Sequence, residues 1–302
     1  MDEQIKFCSN CGWKMKKFSS LCPKCNFATD ITKEIVDEKL KRYSYEKKEK
    51  ILFSKLEFPG ESSSLAFSIF MSISVVLIFS TITFGLFLIY LILGLIYHRI
   101  YEAQTKTQLV RASKNNFTNI FDLSKLAAYR LKMPLSPVYI EENPNLNAHT
   151  SGFWGDHWIV LHSALVKQLN PEELLYVIGH EMGHIKREHA TWLNLMATQR
   201  TKSIPLISNG LRIIFNNWSI KSEYSADRAG LVANKSLKSC ISALSMLAAG
   251  HRNIKLKSYL EESDKSYKEP ISRVGELFGT HPYIPNRIKK LQQYSKLIDA
   301  KS

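Results

Sequence analysis

His180-Glu181-Met182-Gly183-His184 decides how this 302-residue chain is read. On an α-helix, residues four apart lie one above the other, so His180 and His184 present two imidazoles to one metal ion. Glu181 sits about 100° round the axis, within reach of a water on that ion but not placed as its ligand. Such an arrangement suits the splitting of an amide: zinc acidifies the water and the carboxylate takes its proton. The competing reading is a chance match to a short pattern.

The residues around the motif favour a helix. Asn170 can act as N-cap, Pro171 occupies the first helical position, and Glu173 completes a capping box. Leu174, Leu175, Val177, Ile178, Met182 and Ile185 recur at helical spacing. Gly179 and Gly183 each cost about 1 kcal/mol relative to Ala inside a helix. Two glycines beside two histidines suggest that a second backbone packs close, on a helix carrying the third ligand.

A catalytic zinc takes three protein ligands and keeps one position open. Glu223 is the candidate third ligand, and Asp227, four residues on, shares its helical face and can hold the free ring N–H of a ligand histidine. An isolated acidic pair would ordinarily be a solvated one. Downstream, His281 precedes a proline, which biases it toward extended backbone and a loop. A terminal helix follows Pro285, patterned by Ile288, Leu291, Leu297 and Ile298. Arg287 falls in its first turn, where the helix dipole disfavours a cation. Its partner is then either the oxyanion of a tetrahedral intermediate or an active-site carboxylate; the plain alternative is a surface arginine.

In this order, an HExGH helix, an ExxxD helix and a Thr-His-Pro followed by an Arg-Ile helix resemble the HtpX-like, Oma-type and CAAX-prenyl-protease-type membrane zinc metallopeptidases, which are gluzincins. The resemblance runs from Asn147 to the C-terminus. It implies that His180, His184 and Glu223 hold a catalytic zinc, that Glu181 is the general base and that Asp227 supports a ligand from behind. It further implies that His281 and Arg287 stabilise the transition state. Asn147 and Ala148 match the family's edge strand beside the cleft, where an extended peptide can add main-chain hydrogen bonds. Gly155-Asp156 and the following His157 to Leu161 read as a turn and a strand. Several family members place membrane spans between the second histidine and the third ligand. Here Ile185 to Ser222 has no apolar run of about 18 residues, and Ile204, Ile207, Leu211, Ile214 and Trp218 instead recur at helical spacing. That pattern suits a core-facing helix or one lying on the membrane surface.

Cys8-x-x-Cys11 and Cys22-x-x-Cys25, ten residues apart, form a second metal signature. Two such knuckles suit one tetrahedral structural zinc, which would supply much of the folding energy of so short a module. A disulfide pair is the alternative reading. Cys240, on an apolar helix with Leu237, Ile241 and Leu244, reads as a buried thiol without chemistry. Zinc ribbons bind nucleic acid or protein; Lys14, Lys16, Lys17 and Lys24 have only Trp13 and Phe18 as aromatic company and read as a solvated basic face, so nucleic acid is not expected and a protein partner of the ribbon stays open.

Ser62 to Tyr97 contains no charge over 36 positions. A continuous helix of that length would span about 54 Å, against about 30 Å of hydrocarbon. Basic residues flank both ends, which suits a hairpin of two helices of roughly 17 residues turning near Ser80 to Gly85. One tilted span is the alternative. A hairpin leaves the ribbon, and the domain after the membrane segment, in the cytoplasm, where thiolates stay reduced.

The expected organisation is therefore a zinc ribbon over 1–30, a basic linker helix over 31–61, a membrane segment over 62–97 and a metallopeptidase domain over 98–302. Its fold class is α+β, mainly helical with a small edge sheet. Lys255 to Pro270 is polar and reads as a mobile loop. The formal charge of +14 is better matched to anionic lipid than to nucleic acid. The leading expectation is an integral-membrane zinc endopeptidase acting on protein or peptide substrates. The alternative, from another class, is a non-catalytic adaptor whose ribbon recruits a partner on a retired peptidase scaffold. Prenyl-peptide processing ranks below both, because the many spans such a chamber needs are missing from the sequence.

Overall fold

Two apolar helices meet the second half of the chain at both of their outer ends, and this arrangement organises the molecule. The computed structural model describes residues 5–7, 14–16, 56–153, 155–192, 205–251, 254–269 and 282–299. The four CxxC cysteines, most of the 31–61 linker and His281 lie outside the described residues. Strands β1 (Ile5–Phe7) and β2 (Lys14–Lys16) pair antiparallel and bracket Cys8 and Cys11 in sequence.

Helices α1 (Glu61–Ile82) and α2 (Leu86–Thr107) share the charge-free run. The run is broken where Phe84 and Gly85 take left-handed backbone, at φ 52° and 85°. Glycine adopts that conformation without penalty, so the break needs no proline. Each helix is 22 residues long, more than the roughly 17 expected for half the run. Helical hydrogen bonding in α2 continues past the apolar stretch through Arg99, Glu102 and Lys106. At about 1.5 Å per residue each helix is about 33 Å long. Glu61, at the start of α1, bonds His189, while Glu102, near the end of α2, accepts the Gly152 N–H at 3.2 Å. Both ends of the pair thus attach to the same body. Among the described residues α1 is the helix long and apolar enough to cross a membrane by length and composition.

The sheet combines β3 (Val110–Arg111), β4 (Val138–Glu141), β5 (Ala148–Phe153) and β6 (Asp156–His162) in the order β3-β4-β6-β5. Helix α3 (Thr118–Arg130) connects the first two strands. The β4–β6 pair is parallel and the other two are antiparallel. After Asp156, every residue of β6 is buried, as expected of a strand covered on both faces. Strand β5 is an edge, closed against β6 by a turn at Gly155.

Short α4 (Ser163–Gln168) leads into α5 (Pro171–Lys186), which carries the HExxH motif. Its start follows the expected capping box: Asn170 Oδ1 accepts from Glu173 N–H, and Glu173 Oε2 accepts from Asn170 N–H, both at 2.9 Å. Helix α6 (Pro205–Asn234) runs 30 residues and crosses α5 closely. A β-carbon on Gly183 would lie 2.6 Å from the Ala229 methyl, and one on Gly179 would collide with Ala233. The two glycines therefore mark the approach of the helix that carries Glu223. Leu174, Ile178 and Met182 of α5 join Ile159 and Leu161 of β6 in one core. The first half of α6 receives α1: Ser68 Oγ donates to Ile214 O at 2.9 Å, and Trp218 is fully buried.

Helices α7 (Leu237–Ala249), α8 (Leu256–Tyr267) and α9 (Ile284–Asp299) complete the domain. The polar stretch expected as a loop is thus largely the helix α8. Leu256, Tyr259 and Leu260 recur at three- and four-residue spacing and pack against the core edge, while charged residues cover the rest. In α9, Ile288 and Leu291 are buried as the spacing implies, but Leu297 is exposed.

Candidate metal centre

Helical periodicity stacks His180 over His184, with their Nε2 atoms 3.2 Å apart. Helix α6 brings Glu223 against both: Oε2 is 3.5 Å from His180 Nε2, and Oε1 is 3.4 Å from His184 Nε2. Four ligands of N/O type about 2.0–2.1 Å from a tetrahedral zinc stand about 3.3–3.4 Å from one another. The three measured separations bracket that value. All three residues are buried, and ligand-type atoms from each lie within 4.8 Å of one another. Two imidazole nitrogens aimed at one point beside a carboxylate form a donor set that a divalent cation would satisfy, and the residues present fit zinc.

The histidines are held from behind by two separate arms. His180 Nδ1 lies 2.9 Å from Asp227 Oδ1, which also accepts the Tyr176 hydroxyl at 2.7 Å. Arg287 donates to both Asp227 oxygens, Nε to Oδ2 at 2.9 Å and Nη2 to Oδ1 at 2.6 Å, while its Nη1 is 3.5 Å from Glu223 Oε2. Burial alone would push the Asp227 carboxyl up, but the Arg287 guanidinium and the His180 bond hold it well below the usual carboxylate range. Of the two partners the sequence allows for Arg287, these contacts belong to the carboxylates. On the other side, His184 Nδ1 is 3.2 Å from His189 Nδ1, and His189 Nε2 is 2.8 Å from Glu61 Oε1. Burial brings the His189 imidazole down to about 4, against the upward pull of Glu61.

Glu181 lies on the β5 side. Thr150 Oγ1 donates to Glu181 Oε2 at 2.7 Å. Asn147 O accepts from His162 N–H at 3.1 Å, which places Asn147 in the ladder with β6. By antiparallel alternation, Ala148 and Thr150 then turn their backbone groups to the open edge. His281 lies outside the described residues. A second group, Glu141, His149 and His162, lies on the opposite sheet face from Thr150, where His162 Nε2 pairs with Glu141 Oε2 at 3.4 Å.

Thr150, Tyr176, His189, Glu61 and Arg187 were not singled out by sequence reasoning. Tyr176 carries a usable signal, lying four residues before His180 on the same helical face. His189 lies beyond the end of α5 and off its register, and Glu61 is an acid just before a charge-free run.

His180, His184 and Glu223 form a buried group that could hold a metal ion, with Glu181 on the same helix as the two histidines. Residues 115–207 and 194–295, more than half of the chain, match Peptidase family M48, and the chain belongs to that family. It is 28% identical over 213 residues to the Arabidopsis thaliana protein "Plastoglobule-localized metallopeptidase 48, chloroplastic", covering 64% of this chain and 61% of that one. It is 26% identical over 219 residues to a "Protease HtpX homolog" of Streptococcus uberis, covering 58% of this chain and 72% of the relative. Among solved structures, S. mikatae Ste24p aligns at a TM-score of 0.44 and 16% identity, over 76% of this chain and 64% of that one. The chain thus spans about three fifths of the Arabidopsis relative's length.

Proposed function

We propose that this chain is a membrane-anchored zinc endopeptidase that hydrolyses peptide bonds of proteins at or near the bilayer. The observation that carries the reading is the buried triad of donor atoms, 3.2 to 3.5 Å apart, with Glu181 beside it. Zinc, when bound by His180, His184 and Glu223, supplies Lewis acidity that acidifies water and polarises a peptide carbonyl. Glu181 takes the proton on Oε1, because Thr150 already occupies Oε2, and later gives it to the leaving amine. Asp227 keeps the His180 proton on Nδ1 and leaves Nε2 free to ligate. Arg287 offsets the charge of Asp227 and Glu223, and His281 donates to the developing oxyanion. The outward backbone groups of Ala148 and Thr150 bind the substrate as an added strand, a mode largely indifferent to side chains.

Exposed apolar side chains support a bilayer partner. Phe70 and Ile82 on α1 and Leu86 on α2 are each more than 65% exposed, and many other apolar residues on these helices are also exposed to a lesser degree. In water that surface would be costly. Two passes, with both ends on the cytoplasmic side, fit the shared attachment of α1 and α2. Cys8, Cys11, Cys22 and Cys25 hold a second, structural zinc, and the ribbon is a docking module for a protein partner.

Glu181→Gln in the full chain, assayed on an unfolded protein substrate in detergent, loses hydrolysis and keeps its zinc. Turnover at the wild-type rate would overturn the assignment.

A further inference from the structure

We propose that Glu61, in the first turn of the apolar helix α1, is a positioning residue for the catalytic metal, acting on His184 through His189. The inference rests on the zinc-peptidase reading above and extends the metal site into the anchor.

The contacts form one line. Glu61 is 3% exposed and His189 is 1% exposed. Glu61 Oε1 is 2.8 Å from His189 Nε2 and 3.2 Å from Arg187 Nη2, and Oε2 accepts the Ser225 hydroxyl. The His189 ring packs edge-on against Trp218, at 5.8 Å between centroids, and its Nδ1 is 3.2 Å from His184 Nδ1.

Proton bookkeeping gives this line a direction. A carboxylate accepts only, so His189 carries its proton on Nε2 and donates it to Glu61. Two ring nitrogens 3.2 Å apart share one proton, so a His184 that ligates through Nε2 donates its Nδ1–H to a bare His189 Nδ1. That leaves the His184 lone pair on Nε2, the atom beside His180 Nε2 and Glu223. Without Glu61, His189 is free to take its other tautomer, and two N–H groups would face each other across the 3.2 Å contact. Glu61 thus performs for His184, at one remove, the task that Asp227 performs for His180. Attachment of α1 does not need this line: Ser68 Oγ donates to Ile214 O at 2.9 Å and Lys221 Nζ to Ser64 Oγ at 2.6 Å. The acid instead ties the seating of the membrane helix to the shape of the metal site.

The test measures zinc affinity, by chelator competition, for the full chain in detergent. Cobalt substitution identifies the site, because a His/Glu centre lacks the thiolate-to-cobalt charge-transfer absorption of a cysteine site. Glu61→Ala is expected to weaken this site by about 10- to 100-fold, the range for losing a group that orients a ligand. Glu61→Gln, which keeps an acceptor oxygen, should recover most of the loss. Ser68→Ala, which loosens α1 elsewhere, should bind as the wild type does. His189→Phe keeps the ring and removes the acceptor; it should reproduce the Glu61→Ala loss and decides the matter if Glu61→Ala does not fold. Wild-type affinity in folded Glu61→Ala or in His189→Phe overturns the proposal, as does an equal loss in Ser68→Ala. A wild-type protein that binds cobalt only through thiolates overturns the peptidase reading itself.

Discussion

Thr150 shows how much one side chain can contribute at the residue scale. Its hydroxyl orients Glu181, and a hydrogen bond to a charged group contributes about 1.5–3 kcal/mol. Thr150→Val is therefore expected to lower kcat about tenfold or more while zinc content stays at the wild-type level; wild-type turnover would remove Thr150 from the mechanism. Asp227 is the corresponding case for stability. Asp227→Asn leaves Arg287 buried without its main counter-charge, a loss of about 3–5 kcal/mol in urea unfolding at pH 7. The folded-state pKa of Asp227 is depressed, so its contribution is present above the unfolded value of about 3.9. It fades as pH falls through the folded value. The difference between wild type and Asp227→Asn should narrow below pH of about 4. Cys240 is fully buried and its thiol is pushed up by that burial; in the native protein, peptide mapping should find it unalkylated.

At the scale of elements, the α5–α6 crossing decides whether the ligands meet at all. Gly183→Ala gains about 1 kcal/mol of helix propensity but forces a methyl against Ala229 and the Ala226 backbone. Overpacking of that kind costs about 1–3 kcal/mol and moves His184 away from Glu223. The expected result is a lower Tm together with weaker zinc binding. Gly94→Ala, where nothing lies within 4 Å of the added carbon, should leave both unchanged or raise Tm. Equal behaviour of the two variants would remove the close crossing as the reason for the glycine. Helix α8 teaches a related lesson. Its composition reads as loop, yet three apolar residues on one face are enough to seat it.

For the whole molecule, the outer ends of α1 and α2 reach the same domain, so the apolar helix pair and the body that carries His180, His184 and Glu223 are mechanically continuous. Single cysteines placed near Lys50 and Lys106 should show the same protection from an impermeant thiol reagent in intact cells. Opposite protection would require one pass and would contradict the attachment of both helix ends to one side.

The sequence alone was enough to single out His180, His184 and Glu223, which the fold brings together, the capped helix that carries His180, Glu181 and His184, and the close approach of the second helix that carries Glu223. Each is governed by local rules: four-residue helical spacing, capping at three residues, and the space a missing β-carbon leaves. What only the tertiary structure decided were the groups that hold those residues. Thr150 meets Glu181 across 31 positions and Glu61 meets His189 across 128. Such contacts depend on how the sheet edge and the apolar helices settle against α5 and α6, and no local pattern encodes that. Arg287 falls between the two cases, since its awkward place at a helix start called for a partner and packing chose the carboxylates.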